Sequence, residues 1–193
     1  MRSAWELQKR LQDLGKIPTI DEMVDRIVKI KDSRDRALIA LLYWSAGRKS
    51  EVLDVKPEDV NTETVSVKKS LDEVVSKKCL VVGMPNRKNK QTKWKTLAMP
   101  LKRENTLCQL IQKYAEIKKG QEKLFNIKGS WTYTLTKTHT GFNPHFLRHI
   151  RLTHLRRDYD FHPMLLLRWA GWTDLRPARR YDEGRYQDFV VQL

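Results

Sequence analysis

The chain has 193 residues, 40% hydrophobic and 32% charged, which suits one domain with an ordinary core and a heavily solvated surface. Its two cysteines, Cys79 and Cys108, lack CxxC spacing, which excludes a zinc knuckle and a disulfide framework. No apolar run approaches membrane-spanning length and residues 1–15 hold no signal-peptide core, so a soluble protein in a reducing, cytoplasmic setting is expected. A net charge of +15 points to a polyanionic partner, because phosphate neutralisation with counterion release drives nucleic-acid binding. Ribosomal, membrane-surface and simply lysine-rich soluble proteins share that sign. The charge is uneven: residues 68–103 hold eleven Lys or Arg against Asp72 and Glu73, and residues 145–185 hold nine Arg, no Lys and five acids. Arginine without lysine suits forked contacts to phosphate oxygens.

Residues 1–14 pattern as a short amphipathic helix on Trp5, Leu7, Leu11 and Leu14, closed by Gly15. Thr19 with Glu22 forms a capping box for a second helix, whose apolar positions Met23, Ile27 and Ile30 recur at helical spacing. After Asp32-Ser33 a third helix is apolar on every face through residues 37–44. It is predicted to be the buried helix and breaks at Gly47. Residues 50–55 predict one or two more helical turns, stopped by Lys56-Pro57. Three β-type runs follow, at residues 64–67, 79–82 and 94–99. The polar, Asn-rich residues 85–93 read as a hairpin tip, giving a small antiparallel sheet with a basic end. Helix returns over residues 101–119 until Gly120. Asn143-Pro144 starts the next helix, Asn as N-cap and Pro at N1, running to about Arg157. Another begins at Pro163 and stops at Gly171, and a last pair of short helices covers residues 177–193 with a break near Gly184. The fold class expected is mainly α with a small antiparallel β-sheet (α+β).

Three local features bear on chemistry. Arg48 follows the buried helix at once, and Glu51, three residues on, can fix its guanidinium; taken alone, a surface Arg–Glu helix pair is the better explanation. His145 and Arg148 lie three apart at a helix start, on one face, beside free backbone N–H groups that favour an anion. His145 and His149 at i, i+4 invite a metal reading, but His154 is the sole nearby candidate for a further ligand. A purely structural role for these histidines is the other rival. Lastly, Gly171-Trp172 precedes Arg179-Arg180-Tyr181, where two arginines favour a phenolate and draw a phosphate close, although a packed tyrosine between solvated arginines is the plain alternative.

In this order and at these spacings, the elements resemble the catalytic domain of tyrosine recombinases and phage integrases, DNA breaking-rejoining enzymes. In that family a Thr-Gly-x-Arg-x-x-Glu element follows a buried helix. A basic β-hairpin bearing a Lys comes next, then His-x-x-Arg, then Gly-His or Gly-Trp with the nucleophilic Tyr nine residues after the His or Trp. Arg48 and Glu51 match the first element, Arg87-Lys88-Asn89-Lys90 supply the hairpin, and His145 and Arg148, with a trailing His149, match the third. Gly171-Trp172 and Tyr181 match the fourth at the right separation. The resemblance covers residues 19–193, leaving residues 1–18 as an N-terminal extension or linker remnant where most members carry a helical DNA clamp. Departures are the direct Gly47-Arg48 junction, Trp172 for the commoner His, and a long segment over residues 61–100 that leaves the lysine open.

The resemblance implies a site-specific recombinase that forms a 3′-phosphotyrosine on Tyr181 without metal, ATP or other cofactor. Arg48, His145, Arg148 and Trp172 would hold the phosphate, supported by Glu51, and a hairpin lysine would protonate the leaving oxygen. Lys90 is the first choice, Lys88 the second, with Lys68, Lys69 and Lys93 behind. Arg87, Lys88, Lys93, Arg179 and Arg180 are expected to touch double-stranded DNA. The assembly implied is a homotetramer on DNA, with residues 185–193 (Phe189, Val190, Val191, Leu193) either passed between protomers or packed on their own domain, and with a viral or mobile-element origin. The rival functions are relaxation of DNA by type IB topoisomerase chemistry and a catalytically inactive DNA-binding module.

Overall fold

The computed structural model describes residues 17–68, 74–86, 93–179 and 181. The expected helix over residues 1–14, the hairpin residues Arg87, Lys88 and Lys90, Lys69, Arg180 and the apolar stretch at 185–193 lie outside the described residues. Of Lys68, Lys93 and Arg179 only the backbone is described.

Helix α1 (Ile20–Val28) starts as its sequence predicts: Thr19 Oγ1 accepts from the Glu22 N–H at 3.2 Å and Glu22 Oε2 accepts from the Thr19 N–H at 2.7 Å. Met23 and Ile27 are buried beneath it. Helix α2 (Ser33–Ser45) is capped by Asp32, and every residue from Ala37 to Ser45 is buried. A helix apolar all round can only be satisfied at the centre, and other helices surround it. The left-handed residue that ends it is Ala46 (φ 47°), one before the glycine that the sequence suggested. Gly47 serves for room instead. A Cβ there would stand 2.8 Å from Ser45 Oγ and from Val52 Cγ2, because α3 (Lys49–Leu53) folds straight back onto α2.

A 3-10 turn (Pro57–Asp59) leads into an antiparallel sheet of β1 (Val60–Lys68), β2 (Val74–Asn86) and β3 (Lys93–Pro100) in the order β1-β2-β3. Val82 pairs with Val60 on one side and Leu97 on the other. The strands run well past their apolar stretches: the first part of β2, through Lys77 and Lys78, is largely exposed, whereas Cys79, Leu80, Val81 and Val82 are buried. Apolar patterning marks only the half of a strand that meets the core, while the hydrogen-bond ladder continues beyond it.

Helix α4 (Asn105–Ile117) begins later than its apolar pattern suggested, after a 3-10 turn (Leu101–Arg103). Between them Glu104 turns inward and accepts both terminal nitrogens of the wholly buried Arg151, at 2.5 and 2.8 Å. Helix α5 (Gly129–Thr140) was not expected. Its Thr-rich sequence has weak helix propensity, but Thr132, Leu135, Thr136 and Thr140 form a buried stripe, and the hydroxyls of Thr136 and Thr140 each bond the carbonyl four residues back at 2.7 Å. Helix α6 (Pro144–Arg157) is capped by Asn143, whose Oδ1 accepts from the Phe146 N–H at 2.9 Å. It is followed by α7 (Pro163–Ala170) and α8 (Arg176–Arg179). Cys79 and Cys108 are free and buried.

Candidate active site

Four backbone junctions converge at one end of α2: the α2–α3 corner, the start of α6, the α7 terminus and the middle of β3. Arg48 caps α3. Its N–H and Nη1 donate to the two carboxylate oxygens of Glu51 at 3.0 and 2.6 Å. Glu51 is fully buried, so this is not a surface pair. Its Oε2 also meets Lys95 Nζ at 3.2 Å, and Lys95 donates to the Trp169 carbonyl at 3.3 Å. A carboxylate between two cations is held charged: burial pushes the Glu51 carboxyl up, but Lys95 and the Arg48 hydrogen bonds prevail and leave it below its ordinary value. Burial lowers Lys95 to about 8 in spite of Glu51, with Arg148 adding repulsion.

Arg148 is 5% exposed. Its guanidinium donates to the Ala46 carbonyl and, at 2.9 Å, to the Ala170 carbonyl. These are the C-terminal ends of α2 and α7, where unpaired carbonyls carry partial negative charge and stabilise a cation. Burial first, then Arg48, lowers Arg148 to about 10, so it remains charged at neutral pH. Desolvation, Arg148 and Arg48 likewise hold His145 below its ordinary value. Arg48, Lys49, Ser50, Tyr133, His145 and Arg148 line an open cavity of about 330 Å³. A cavity walled by two guanidiniums, a lysine and the start of α6 suits an anion with several oxygens, such as a phosphodiester.

Tyr181 stands beside this cradle. Trp172 stacks on its ring at 5.9 Å and 20°, and the Arg148 guanidinium lies 5.8 Å from the Trp172 ring centre. Gly171 sets the tryptophan. It holds φ +67°, its carbonyl accepts from Asn86 Nδ2 at 3.1 Å, and a Cβ would come within 2.8 Å of the Asn86 amide. The Tyr181 hydroxyl meets His149 Nδ1 at 2.5 Å, and His149 Nε2 meets His145 Nε2 at 2.9 Å. The two imidazoles are therefore bonded to each other rather than opened around a common point. Among the described residues no three His, Cys, Asp or Glu side chains are grouped to hold a metal ion, and no helix is long and apolar enough to cross a membrane.

Arg48, Glu51, His145, Arg148, Trp172 and Tyr181 thus come together from three distant stretches of chain. Lys90, Lys88, Arg87 and Arg180 fall outside the described residues, and the side chains of Lys93 and Arg179 do too. Sequence reasoning missed Lys95, although a signal was there. In a strand of period two Lys95 shares the core face with Leu97 and Met99, and a lysine on that face must find a buried partner. His149 was noticed without a task, and Tyr133 went unnoticed because its helix did.

No family model and no curated protein sequence matches the chain. Solved structures do. A XerH site-specific recombinase bound to its difH substrate before cleavage matches with a TM-score of 0.62 and 18% identity, over 90% of this chain and 51% of that one. Its post-cleavage complex with a palindromic difH substrate matches at 0.61 and 20%, over 86% and 48%. The XerA recombinase matches at 0.60 and 15%, over 91% and 62%. The chain spans about half the length of the XerH chain. Mainly helical with one three-stranded antiparallel sheet, this chain has the fold of a tyrosine recombinase catalytic domain.

Proposed function

We propose that residues 19–193 form a catalytic domain that cuts and rejoins double-stranded DNA as a site-specific recombinase, through a 3′-phosphotyrosine on Tyr181, with neither metal nor ATP. The observation that carries this reading is the ring of side chains around one hydroxyl: Tyr181 against Trp172 and His149, next to a cavity walled by Arg48 and Arg148. The likeness in fold to site-specific recombinases supports the same reading. Tyr181 Oη attacks phosphorus, and Arg48 and Arg148 bind the non-bridging oxygens, where negative charge builds in the transition state. His145 and Trp172 contribute hydrogen bonds to the same oxygens. Glu51 orients Arg48 and Lys95, and Lys95 protonates the leaving 5′-oxygen, the role that sequence reasoning gave to Lys90 or Lys88. The bond energy stays in the phosphotyrosine, so a 5′-hydroxyl from a partner strand reverses the step. Exchange between two duplexes opens four strands and needs one tyrosine for each, which calls for a homotetramer on DNA.

The test is to incubate the full chain with a pool of nicked duplexes of randomised sequence, trap covalent protein–DNA adducts in EDTA, and map the modified residue by peptide mass spectrometry. Adduct at Tyr181, absent from Tyr181→Phe, is expected. No adduct from any duplex, an adduct elsewhere (Tyr186 being the next candidate), or one that requires a metal would overturn the proposal. Duplexes recovered from the adduct then serve in two-site strand-exchange and supercoil-relaxation assays, where exchange is expected.

A further inference from the structure

Behind the Tyr181 hydroxyl lies a row of two imidazoles. His149 Nδ1 is 2.5 Å from Tyr181 Oη, and His149 Nε2 is 2.9 Å from His145 Nε2. The rings of His145 and His149 stand perpendicular with centres 4.5 Å apart, whereas His149 lies nearly parallel to the tyrosine at 27°. The row runs outward: Tyr181 and His149 are half-buried, and His145 is exposed on the cavity. Spacing of four on α6 puts both imidazoles on one face, a turn apart.

One assignment of hydrogens satisfies both contacts. Tyr181 O–H donates to His149 Nδ1, His149 Nε2–H donates to His145 Nε2, and His145 keeps its hydrogen on Nδ1. The reverse polarity is the same row after a proton has moved along it. We propose that His149 is the general base of the cleavage step, a catalytic residue in direct contact with the nucleophilic oxygen, and that His145 is the outer station of a two-histidine proton relay. The proposal rests on Tyr181 being the nucleophile. As the Oη–P bond forms and the P–O5′ bond breaks, the tyrosine proton passes to His149 Nδ1 and the Nε2 proton of His149 passes to His145 Nε2. The leaving oxygen takes its proton from Lys95. Rejoining runs each transfer backwards, so the row returns the proton to Tyr181 when the strand is resealed. Among the described residues the charged groups facing His145 are Arg148, on the same helix, Arg48, at the α3 cap, and Lys49, which lines the same cavity. Burial first, then the two arginines, hold His145 below its ordinary value, so it is neutral before the proton arrives.

The experiment compares wild type, His149→Gln, His145→Gln and Tyr181→Phe on a duplex recovered from the trapped adduct, measuring melting temperature, DNA affinity and single-turnover cleavage from about pH 7 to about pH 10, where a phenol ionises unaided. A glutamine keeps a hydrogen bond to Oη but takes no proton. His149→Gln is expected to bind DNA and melt as wild type does while cleaving roughly 100-fold more slowly at neutral pH, a general base being worth about that or more. The ratio to wild type is expected to shrink towards about pH 10, where the base becomes unnecessary. His145→Gln, on an exposed ring that folding does not depend on, is expected to show a smaller loss with the same narrowing. Wild-type rates in His149→Gln, or a deficit constant with pH in that variant, would overturn the relay while leaving the nucleophile untouched. Adduct formation by Tyr181→Phe would instead remove the reading on which the relay rests.

Discussion

Lys95 shows how one position can be both structural and chemical. Its ammonium sits 3.2 Å from Glu51 and the residue is only 9% exposed, so part of its task is to neutralise a buried carboxylate. The same burial lowers it to about 8, close enough to neutral pH for proton donation to be easy. Lys95→Met is expected to reduce single-turnover cleavage by about 100-fold or more, whereas Lys90→Met and Lys88→Met reduce it little and act mainly on DNA affinity. The reverse ranking would return the acid to the hairpin tip. An acid of this pKa also has a direction with pH. Wild-type cleavage is expected to decline above about pH 8 as the ammonium is lost, a limb that a pH–rate profile reads directly.

At the scale of elements, the site is a meeting of ends. Arg148 is held by the last carbonyls of two helices, α2 and α7, and Trp172 is held by the turn that leaves α7 and by Asn86 at the end of β2. Gly171 is where these constraints coincide. Gly171→Ala adds a Cβ at φ +67° within 2.8 Å of the Asn86 amide and is expected to destabilise the fold by about 1–3 kcal/mol. Because Trp172 shifts with it, cleavage is expected to fall further than the loss of folded protein explains, which urea unfolding and single-turnover rates together would reveal. Helix α5 enters by one residue. Tyr133 lines the cavity and is 47% exposed. Tyr133→Ala is expected to leave the melting temperature unchanged and weaken DNA binding, read by titration with a labelled duplex.

At the scale of the whole molecule, a buried polar network ties α2, α4 and α6 to the chain entering at Pro18. His154 spans it, taking the Tyr43 hydroxyl at 2.7 Å on Nδ1 and the Pro18 carbonyl at 2.8 Å on Nε2. Burial lowers this imidazole to about 4, against an ordinary value of 6.5. Below that ordinary value the unfolded chain takes up a proton that the folded one refuses, so stability is full above about pH 6.5 and declines as pH falls towards 4, by about 3 kcal/mol in all. His154→Gln, which can accept from Tyr43 and donate to Pro18, is expected to flatten the urea-midpoint profile across that window. The net charge of +15 acts at this scale as well. DNA affinity is expected to fall steeply and log-linearly with salt, as fluorescence titrations at several ionic strengths would show.

What the linear chain determined by itself was whatever depends on neighbours in sequence. The capping box of Thr19 and Glu22, the Asn143-Pro144 start, the all-apolar helix and the nine-residue step from Trp172 to Tyr181 are local patterns, and they were legible as such. They sufficed for the fold class and, through the family resemblance they carry, for six positions that come together. Tertiary structure decided the rest, because long-range partners leave little trace in local pattern. Lys95 looked like part of a strand until Glu51 and Trp169 were beside it, and Glu104 looked like helix until Arg151 drew it inward. Helix α5 forms against its propensities since burial of its threonine stripe outweighs them. Proximity also distinguished the two histidines: spacing grouped His145 with Arg148, but a turn of α6 puts His149 against the Tyr181 hydroxyl and leaves His145 one hydrogen bond behind.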